Sequence, residues 1–283
     1  MRNWLTFTLL WSSIGLSLAG SAAAQEPPAP EPKPLVNSPL TPEESQKHFQ
    51  IDPDCRIELV AAEPDVSAPV SIAFDEKGQL WVVEMHDYPN GPDPGEPGKS
   101  RIRVLTDEDG DGKYSNPRVF VDQLLFANSF MHWDGGVLVT TDGKLIYFKD
   151  TDGDGKSDLR EVWFEGFATE NPQLRCNHPT FGPDNWIYVA NGLRNGKVRA
   201  VRPKWPKPAP DGAKLGEPVD ISGRDFRFNP FTGECEAVSG YGQFGLTFDD
   251  EGNRYVCSNR NPCMKVIIEE RHLKLNPTLA QLV

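Results

Sequence analysis

Residues 74–83 read FDEKGQLWVV, and the phrase returns as FGPDNWIYVA at 181–190 and as FDDEGNRYVC at 248–257. Each copy is typical of a strand, a tight turn and a second strand. The fifth residue is Gly or Asn, which tolerate positive φ, the eighth is aromatic and the ninth is valine. A weaker copy occupies residues 131–139. Repetition at this spacing indicates one supersecondary unit that is stacked several times.

Segments with strand character fall into groups of four. The groups are 70–75, 80–85, 101–106 and 118–122; then 129–133, 137–141, 145–149 and 160–165; then 176–181, 186–191, 225–229 and 234–238. A fourth group begins with 244–249, 255–258 and 264–269. Four antiparallel strands per repeat describe a β-propeller blade, whereas a β-sandwich would not explain the repeated phrase. The predicted fold is therefore an all-β propeller with three blades and part of a fourth.

A further strand is predicted at residues 56–62, before the first blade. Propellers commonly close when an N-terminal strand completes the last blade, and here its partner would lie beyond Val283. We therefore expect an incomplete six-bladed propeller in a truncated chain. A closed four-bladed propeller is the alternative.

The N-terminal segments have a different composition from the rest of the chain. Residues 1–24 combine Arg2, an apolar stretch at 5–18 and small residues before Gln25, which predicts a secretory signal peptide rather than a membrane anchor. Residues 25–42 form a proline-rich linker, and 43–283 form the propeller, which opens with a short helix after Thr41. The expected location is the periplasm or the exterior of the cell.

Charge and cysteine content exclude several classes of protein. The net charge of −12, without a basic cluster, argues against nucleic acid as a partner. Five cysteines leave at least one thiol unpaired, and Cys257 and Cys263 form either a cross-strand disulfide or two reduced thiols. The chain contains no Cys-x-x-Cys-His motif, so no c-type haem attachment is expected.

Two aspartate-rich loops are candidate calcium sites. In the second blade, residues 150–158 place oxygens at alternate positions and a glycine at the sixth, as calcium loops do. The expected ligands are the carboxylates of Asp150, Asp152, Asp154 and Asp158 and the carbonyl of Lys156. The first blade offers Asp107, Asp109 and Asp111 in a loop with fewer charges, where weaker binding or an empty turn is expected.

The direction of the strands sorts the remaining polar residues. Both aspartate-rich loops lie at one end of the blades, and the opposite end is the candidate ligand face, with the long loops 85–100 and 191–224. The polar residues expected there are Glu84, His86, Asp87, Arg175, Asn177, His178, Asn191, Arg194, Ser258, Asn259, Arg260 and Asn261. Three arginines in an acidic protein favour a ligand that carries carboxylates.

The chain resembles the N-terminal propeller of the PVC-type membrane-bound dehydrogenases, which are related to quinoprotein glucose/sorbosone dehydrogenases. The matching stretches are residues 48–53, 80–85, 87–91, 150–158, 171–175, 224–228, 244–248 and 257–262. Members of that family usually continue into further blades, helical repeats and a cytochrome c domain. The resemblance implies a partner cytochrome c and supports truncation.

The resemblance also implies an activity. Related enzymes bind pyrroloquinoline quinone (PQQ) and oxidise sugars or alcohols, with a histidine that accepts the hydroxyl proton. His178 is the candidate catalytic residue, and Arg175, Asn191, Arg194, Asn259 and Arg260 are the candidate cofactor-binding residues. Two alternatives remain: a lactonase-like metal-dependent hydrolase that uses Glu84, Asn191 and Asn259, or a non-catalytic propeller that binds carbohydrate or protein. Substrate identity does not follow from the sequence.

Overall fold

Antiparallel β-strands dominate residues 39–276 and 278, the part of the chain that the computed structural model describes. Two short helices also occur, α1 (Pro42–Gln46), at the position predicted, and α2 (Glu270–Leu273) after the last strand. The predicted signal peptide and most of the predicted linker lie outside the described residues. Neither described helix is long and apolar enough to cross a membrane.

The first sheet contains β1 (Pro69–Phe74), β2 (Leu80–Glu84), β3 (Ser100–Thr106) and β4 (Ser115–Leu124), which pair in that order. Every residue of β2 is buried, because the strand lies inside the sheet and both of its faces are covered. The boundaries confirm the four predicted strands, and β4 extends beyond its predicted range at both ends.

An aspartate holds the turn of the repeated phrase. Asp75 accepts hydrogen bonds from two backbone N–H groups of the turn, at 2.9 and 2.8 Å, and from the indole N–H of Trp81 at 3.0 Å. The same link between turn and aromatic residue recurs in the other copies, from the hydroxyls of Tyr188 to Asp184 (2.9 Å) and of Tyr255 to Asp249 (3.1 Å). The eighth position of the phrase therefore uses both the ring and the polar end of an aromatic side chain.

The second sheet has six strands where four were predicted. Its first four are β5 (Ser129–Trp133), β6 (Gly136–Thr141), β7 (Lys144–Lys149) and β8 (Leu159–Glu165). The chain then forms β9 (Asn177–Phe181) and β10 (Ile187–Ala190) before β11 (Lys197–Ala200) and β12 (Val219–Asp220). β11 pairs with β8 and β12 pairs with β11, so this hairpin adds two strands to the outer edge of the second sheet.

The third and fourth sheets complete the described strands. The third consists of β9, β10, β13 (Asp225–Phe228) and β14 (Cys235–Val238), and the fourth of β15 (Leu246–Phe248), β16 (Arg254–Val256) and β17 (Met264–Lys265). β17 is shorter than predicted because the chain leaves the sheet after Lys265 and forms α2 from Glu270.

The sheets pack against one another in chain order. β5 contacts both β1 and β9, and β9 contacts β15, so the first strands of successive sheets are neighbours. Three apolar clusters are built from successive pairs of sheets, and they include Trp81 with Phe148, Trp163 with Phe228, and Tyr188 with Val256. The structure confirms the all-β class and the antiparallel sheets. The number of blades and the closure of a ring stay predictions.

The predicted strand at residues 56–62 is wrong, because no strand is assigned there. One backbone hydrogen bond links this segment to the first sheet, from the N–H of Tyr114 to the carbonyl of Val60 (2.7 Å). Ala61 instead packs its side chain against a cluster that contains Leu80 and Leu105. The segment covers a face of the first sheet with side chains, and it does not offer a ladder of hydrogen bonds to a sheet edge.

Candidate functional site

A cavity of about 610 Å³ lies at the end of the sheets opposite the aspartate-rich loops. Its walls include the start of β1, the start of β5 and the start of β9, together with the loops that flank β15 and β16. The first strands of adjacent sheets therefore meet around one space. The cavity has the position and the size expected of a small-molecule site.

The lining of the cavity is polar but mostly uncharged. Hydroxyl and amide groups come from Ser71, Asn128, Ser129, Gln173, Asn177 and Asn259. Apolar and aromatic surface comes from Met85, Tyr88, Pro172 and Phe244, among others. Among the described lining residues, His178 is the only one whose side chain titrates near neutral pH.

His178, the predicted catalytic residue, lies at the start of β9 and is exposed to the cavity. Its backbone has φ +54°, a left-handed conformation that is uncommon outside glycine, asparagine, aspartate and histidine. The hydroxyl of Ser129 fixes this backbone by accepting the His178 N–H at 2.6 Å, and it lies 2.7 Å from the hydroxyl of Thr140. Desolvation by the surrounding protein lowers the pKa of His178 below 6.5, so the imidazole is neutral at pH 7.

Two asparagines of the lining are held by a single glutamine. The backbone carbonyl of Gln243 accepts the side-chain N–H of Asn177 at 2.7 Å, and its side-chain oxygen accepts the backbone N–H of Asn259 at 2.9 Å. The side-chain oxygen of Asn177 is buried and has no hydrogen-bond partner among the described residues. A buried acceptor without a partner is costly.

The predicted arginines do not converge on this cavity. Arg175 is buried and stacks its guanidinium over the ring of Phe126, 4.3 Å from the centroid. Arg194 borders a separate depression with Glu170, and Arg260 is exposed outside the cavity. Desolvation lowers the pKa of Arg175 from its ordinary value. None of the three lies among the described residues that line the cavity.

Asn191 has a structural role next to the cavity. Its side-chain N–H groups donate to the carbonyls of Ile221 and Arg224, each at 2.8 Å, and its side-chain oxygen accepts the N–H of Arg194 at 2.7 Å. The backbone N–H of Asn191 donates to buried Asp225 at 3.0 Å. These bonds fix the start of the loop that leads to the β11–β12 hairpin.

Glu84 and Asp87 are buried in networks of their own. Glu84 accepts the N–H of Ser67 at 2.8 Å and the guanidinium of Arg101 at 2.5 Å. Asp87 accepts the N–H groups of Lys99, Ser100 and Phe126, at 2.7, 3.1 and 2.8 Å, and also the hydroxyl of Ser100. Both carboxylates anchor loops at this end of the sheets, and neither belongs to the described lining of the cavity.

The aspartate-rich loop of the second sheet gathers most of the predicted calcium ligands. One oxygen from each of Asp150, Asp152 and Asp158 lies within 4.8 Å of the others, an arrangement that suits Ca²⁺. Asp154 is not part of this group, and its carboxylate accepts the backbone N–H of Lys156 at 2.8 Å. In the first-sheet loop, the carboxylates of Asp107, Asp109 and Asp111 converge in the same way.

The backbone of the same loop already supports negative charge. Hydrogen bonds from the N–H groups of Gly153 and Gly155 hold the pKa of Asp150 below its ordinary value. Arg118 of the first sheet donates to the carbonyl of Gly155 and to the side chain of Gln79, at 3.3 Å for the latter. The loop thus contacts the first sheet as well as its own, and its conformation affects the packing between them.

A family model described as a domain of unknown function, DUF7133, matches residues 41–282. The chain belongs to this family. No curated protein matches the DUF7133 chain.

Several solved structures resemble the DUF7133 chain weakly. The nidogen/laminin complex is 15% identical, with TM-score 0.32 and coverage of 68% of this chain and 73% of that one. An auxiliary nutrient binding protein from Bacteroides ovatus is 12% identical, with TM-score 0.34 and coverage of 71% and 59%. The holo PQQ domain of pyranose dehydrogenase from Coprinopsis cinerea is 10% identical, with TM-score 0.29 and coverage of 70% and 92%. Similarity at this level does not bear on function.

The described residues of the DUF7133 domain do not fit PQQ in this cavity. The quinone carries several carboxylates, which proteins bind through arginine or lysine. No arginine or lysine is among the described residues that line the cavity. An uncharged ligand with hydroxyl groups matches the lining better.

Sequence reasoning assigned Asn177, His178 and Asn259 to the end of the sheets where the cavity lies, but it omitted several other lining residues. Tyr88 lies in the loop 85–100, which strand direction assigns to this end, and Ser129 opens a predicted strand. Gln173 lies in a connection whose side-chain directions no sequence pattern defines, and Phe244 opens the predicted strand 244–249 but lies before β15 in the structure. Strand direction could have identified the first two as candidates.

Proposed function

We propose that this DUF7133 domain is the substrate-binding propeller module of an exported sugar or alcohol dehydrogenase. The observation that carries the proposal is the uncharged, amide-rich cavity in whose described lining His178 is the only side chain that titrates near neutral pH. Amide and hydroxyl groups of this kind form hydrogen bonds with the hydroxyls of a neutral sugar, and the rings of Tyr88 and Phe244 offer apolar surface to its C–H faces.

The charge of the cavity favours a neutral substrate. A carboxylate or ammonium group that entered would lose hydration without gaining a counter-ion among the described lining residues. A neutral polyol would lose less hydration and would form hydrogen bonds with the amide and hydroxyl groups of the lining. Glucose should therefore bind more tightly than glucuronate, which differs from it by one carboxylate.

His178 is proposed as the proton acceptor. Its lowered pKa leaves a neutral imidazole at pH 7, and a neutral imidazole accepts a proton from a substrate hydroxyl as the bond to oxygen is broken. The bond from the His178 N–H to Ser129 fixes the backbone from which the ring projects into the cavity. This role requires only that a hydroxyl group reach the imidazole.

Oxidation also requires a two-electron acceptor that takes a hydride from the substrate carbon, and this acceptor is proposed to contact the substrate at the mouth of the cavity. The resemblance to quinoproteins suggests PQQ and then a cytochrome c domain, but the described lining provides no cation for the quinone, so no hydride transfer is derived through it. Calcium is proposed at Asp150, Asp152 and Asp158, and more weakly at Asp107, Asp109 and Asp111, where it would neutralise repulsion between carboxylates.

Binding and turnover test the proposal separately. Calorimetry with glucose and glucuronate measures the preference for an uncharged ligand, and dye reduction by the full-length protein with PQQ and calcium measures oxidation. His178→Ala should keep sugar binding and lower turnover by about a hundredfold or more, whereas the control His272→Ala on α2 should change neither. Equal turnover in wild type and His178→Ala would contradict the catalytic role.

A non-catalytic carbohydrate-binding module is the second candidate, because the described cavity lacks a cation for the quinone. Sugar binding without dye reduction in the full-length protein would favour it. The hydrolase alternative has less support, since Glu84 and Asn191 are engaged elsewhere and only Asn259 of that set lines the cavity. Hydrolysis of a lactone by the protein without added quinone would favour the hydrolase.

A further inference from the structure

One hydrogen bond joins the first and third sheets at the rim of the cavity. The side-chain N–H of Gln173 donates to the hydroxyl of Tyr88 at 2.5 Å. Tyr88 lies in the connection between β2 and β3, and Gln173 lies in the connection that leads into β9. Both residues line the cavity, and so does Ser129 at the start of β5 in the intervening sheet. The bond therefore spans from the first sheet to the third across the second.

A buried cluster supports both ends of this bond. Asp87, next to Tyr88, accepts the backbone N–H of Phe126 at 2.8 Å. The ring of Phe126 is covered by the guanidinium of Arg175, which also donates to the carbonyl of Thr169 at 2.7 Å. The two loops that carry Tyr88 and Gln173 thus rest on one packed unit. The rim residues are held in place from below, which favours a defined bond over a chance surface contact.

We infer that Tyr88 and Gln173 form a bar across the rim of the cavity that limits the size of the ligand able to reach His178. The inference rests on the proposed function for the class of ligand, a neutral sugar. A bar across the opening suits a mono- or disaccharide, which can lie wholly inside the cavity. The interior of a polysaccharide would have to continue past the bar and would be excluded.

Access to His178 can be measured without any sugar. Diethyl pyrocarbonate acylates neutral imidazole, and mass spectrometry of peptides reports the rate at each histidine. Gln173→Ala removes one half of the bar and should raise the rate at His178 by about threefold to tenfold, the range that corresponds to one net hydrogen bond. His272, exposed on α2, is the internal control and should react at the same rate in both proteins. An unchanged ratio of the His178 rate to the His272 rate would refute the proposed bar.

Tyr88→Phe tests the hydrogen bond itself, because the ring stays and only the hydroxyl is lost. It should raise the His178 rate in the same direction, and the double variant with Gln173→Ala should add little, since both changes break one interaction. Fully additive effects would contradict the pairing. Tyr114→Phe, at the opposite end of the first sheet, is the matched control.

Size selection is read from calorimetry with glucose and with its β-1,4-linked hexamer. The wild type should prefer glucose, and Gln173→Ala should reduce that preference by about threefold or more. A preference that stays constant while the His178 rate rises would refute selection by size. If the wild type binds neither sugar, the proposed function fails, and the acylation rates alone decide whether the bar exists.

Discussion

Substitution of Asp225 by asparagine should remove a loss of stability that the wild-type protein shows as the pH rises from about 4 to about 7. Asp225 is fully buried, its carboxylate accepts the N–H groups of Asn191 and Gly242 at 3.0 Å each, and Arg254 lies 3.5 Å away. Desolvation outweighs these contacts and raises the pKa of Asp225 from 3.8 to about 6. The shift corresponds to about 3 kcal/mol.

The sign follows from which state binds the proton more tightly. Because the pKa of Asp225 is higher in the folded state than in the unfolded chain, the protonated carboxyl favours folding. This contribution is fully present below about pH 4 and is lost as the pH rises through about 6. The difference in unfolding free energy, wild type minus Asp225→Asn, should therefore fall by up to about 3 kcal/mol between about pH 4 and pH 7.5.

Urea unfolding followed by tryptophan fluorescence at several pH values measures that difference, and the subtraction cancels groups common to both proteins. Asp220→Asn is the control: its carboxylate is exposed and its pKa is lowered, so the corresponding difference should be flat from about pH 5 upward. A difference for Asp225→Asn that is independent of pH, or that rises with pH, would refute the reasoning. The second result would mean that Arg254 dominates over desolvation.

Three other outcomes are expected. Saturating calcium, about a hundredfold over its dissociation constant, should stabilise the fold by about 2.7 kcal/mol and raise the melting temperature by about 5 to 10 °C. Asp150→Asn should remove the increment of the second-sheet loop and leave at most the smaller one of Asp107, Asp109 and Asp111, and an undiminished increment would contradict the site at Asp150. Phe164→Ala should cost about 3 to 5 kcal/mol in urea unfolding because the ring is fully buried between aromatic neighbours, whereas the exposed Phe49→Ala should change stability by about 0.5 kcal/mol at most. Ser129→Ala should lower stability by about 1 to 3 kcal/mol, because the N–H of His178 loses its acceptor, and should also lower turnover. Unchanged stability and unchanged turnover would mean that the backbone conformation of His178 does not depend on this hydrogen bond.

The repeating unit was predictable from the sequence because the residues that define its turn lie within each copy of the phrase. The turn requires a residue that tolerates positive φ, and Gly78, Asn185 and Gly252 all have it, at +72°, +65° and +82°. An aspartate near the turn bonds to the aromatic residue that follows, in all three copies. These constraints are local, so a reader of the sequence can recognise them without knowing the tertiary structure.

Strand pairing over long distances was not predictable. Residues 56–62 alternate and contain apolar side chains, yet they pack on the face of a sheet instead of joining its edge. β11 and β12 lie in a long connection rich in proline and charge, and their pairing with β8 depends on an edge that becomes available only in the folded structure. Periodicity reports which faces are apolar, and it does not report which partner covers them.

Strand direction assigned Asn177, His178 and Asn259 to one end of the sheets, and the structure places all three in the lining of one cavity, but strand direction could not sort the arginines. Arg175 follows the same directional argument as His178, only three positions away, and its side chain turns under the loop toward Phe126. The sequence does not show whether a charged side chain binds a ligand or packs against an aromatic ring. The distinction depends on side-chain packing, which becomes visible only in three dimensions.

The β11–β12 hairpin has a consequence for the order of folding. The first sheet is made from one continuous stretch, Pro69 to Leu124, and all its pairings are between consecutive strands. The second sheet cannot be complete until Asp220 has arrived, and the chain of the third sheet departs at Ala190 and returns only at Asp225. Because local contacts form early and distant ones late, the first sheet can form alone, whereas the second and third are interlocked. We therefore expect those two sheets to unfold as one cooperative unit, in which slow amide exchange with solvent is lost together.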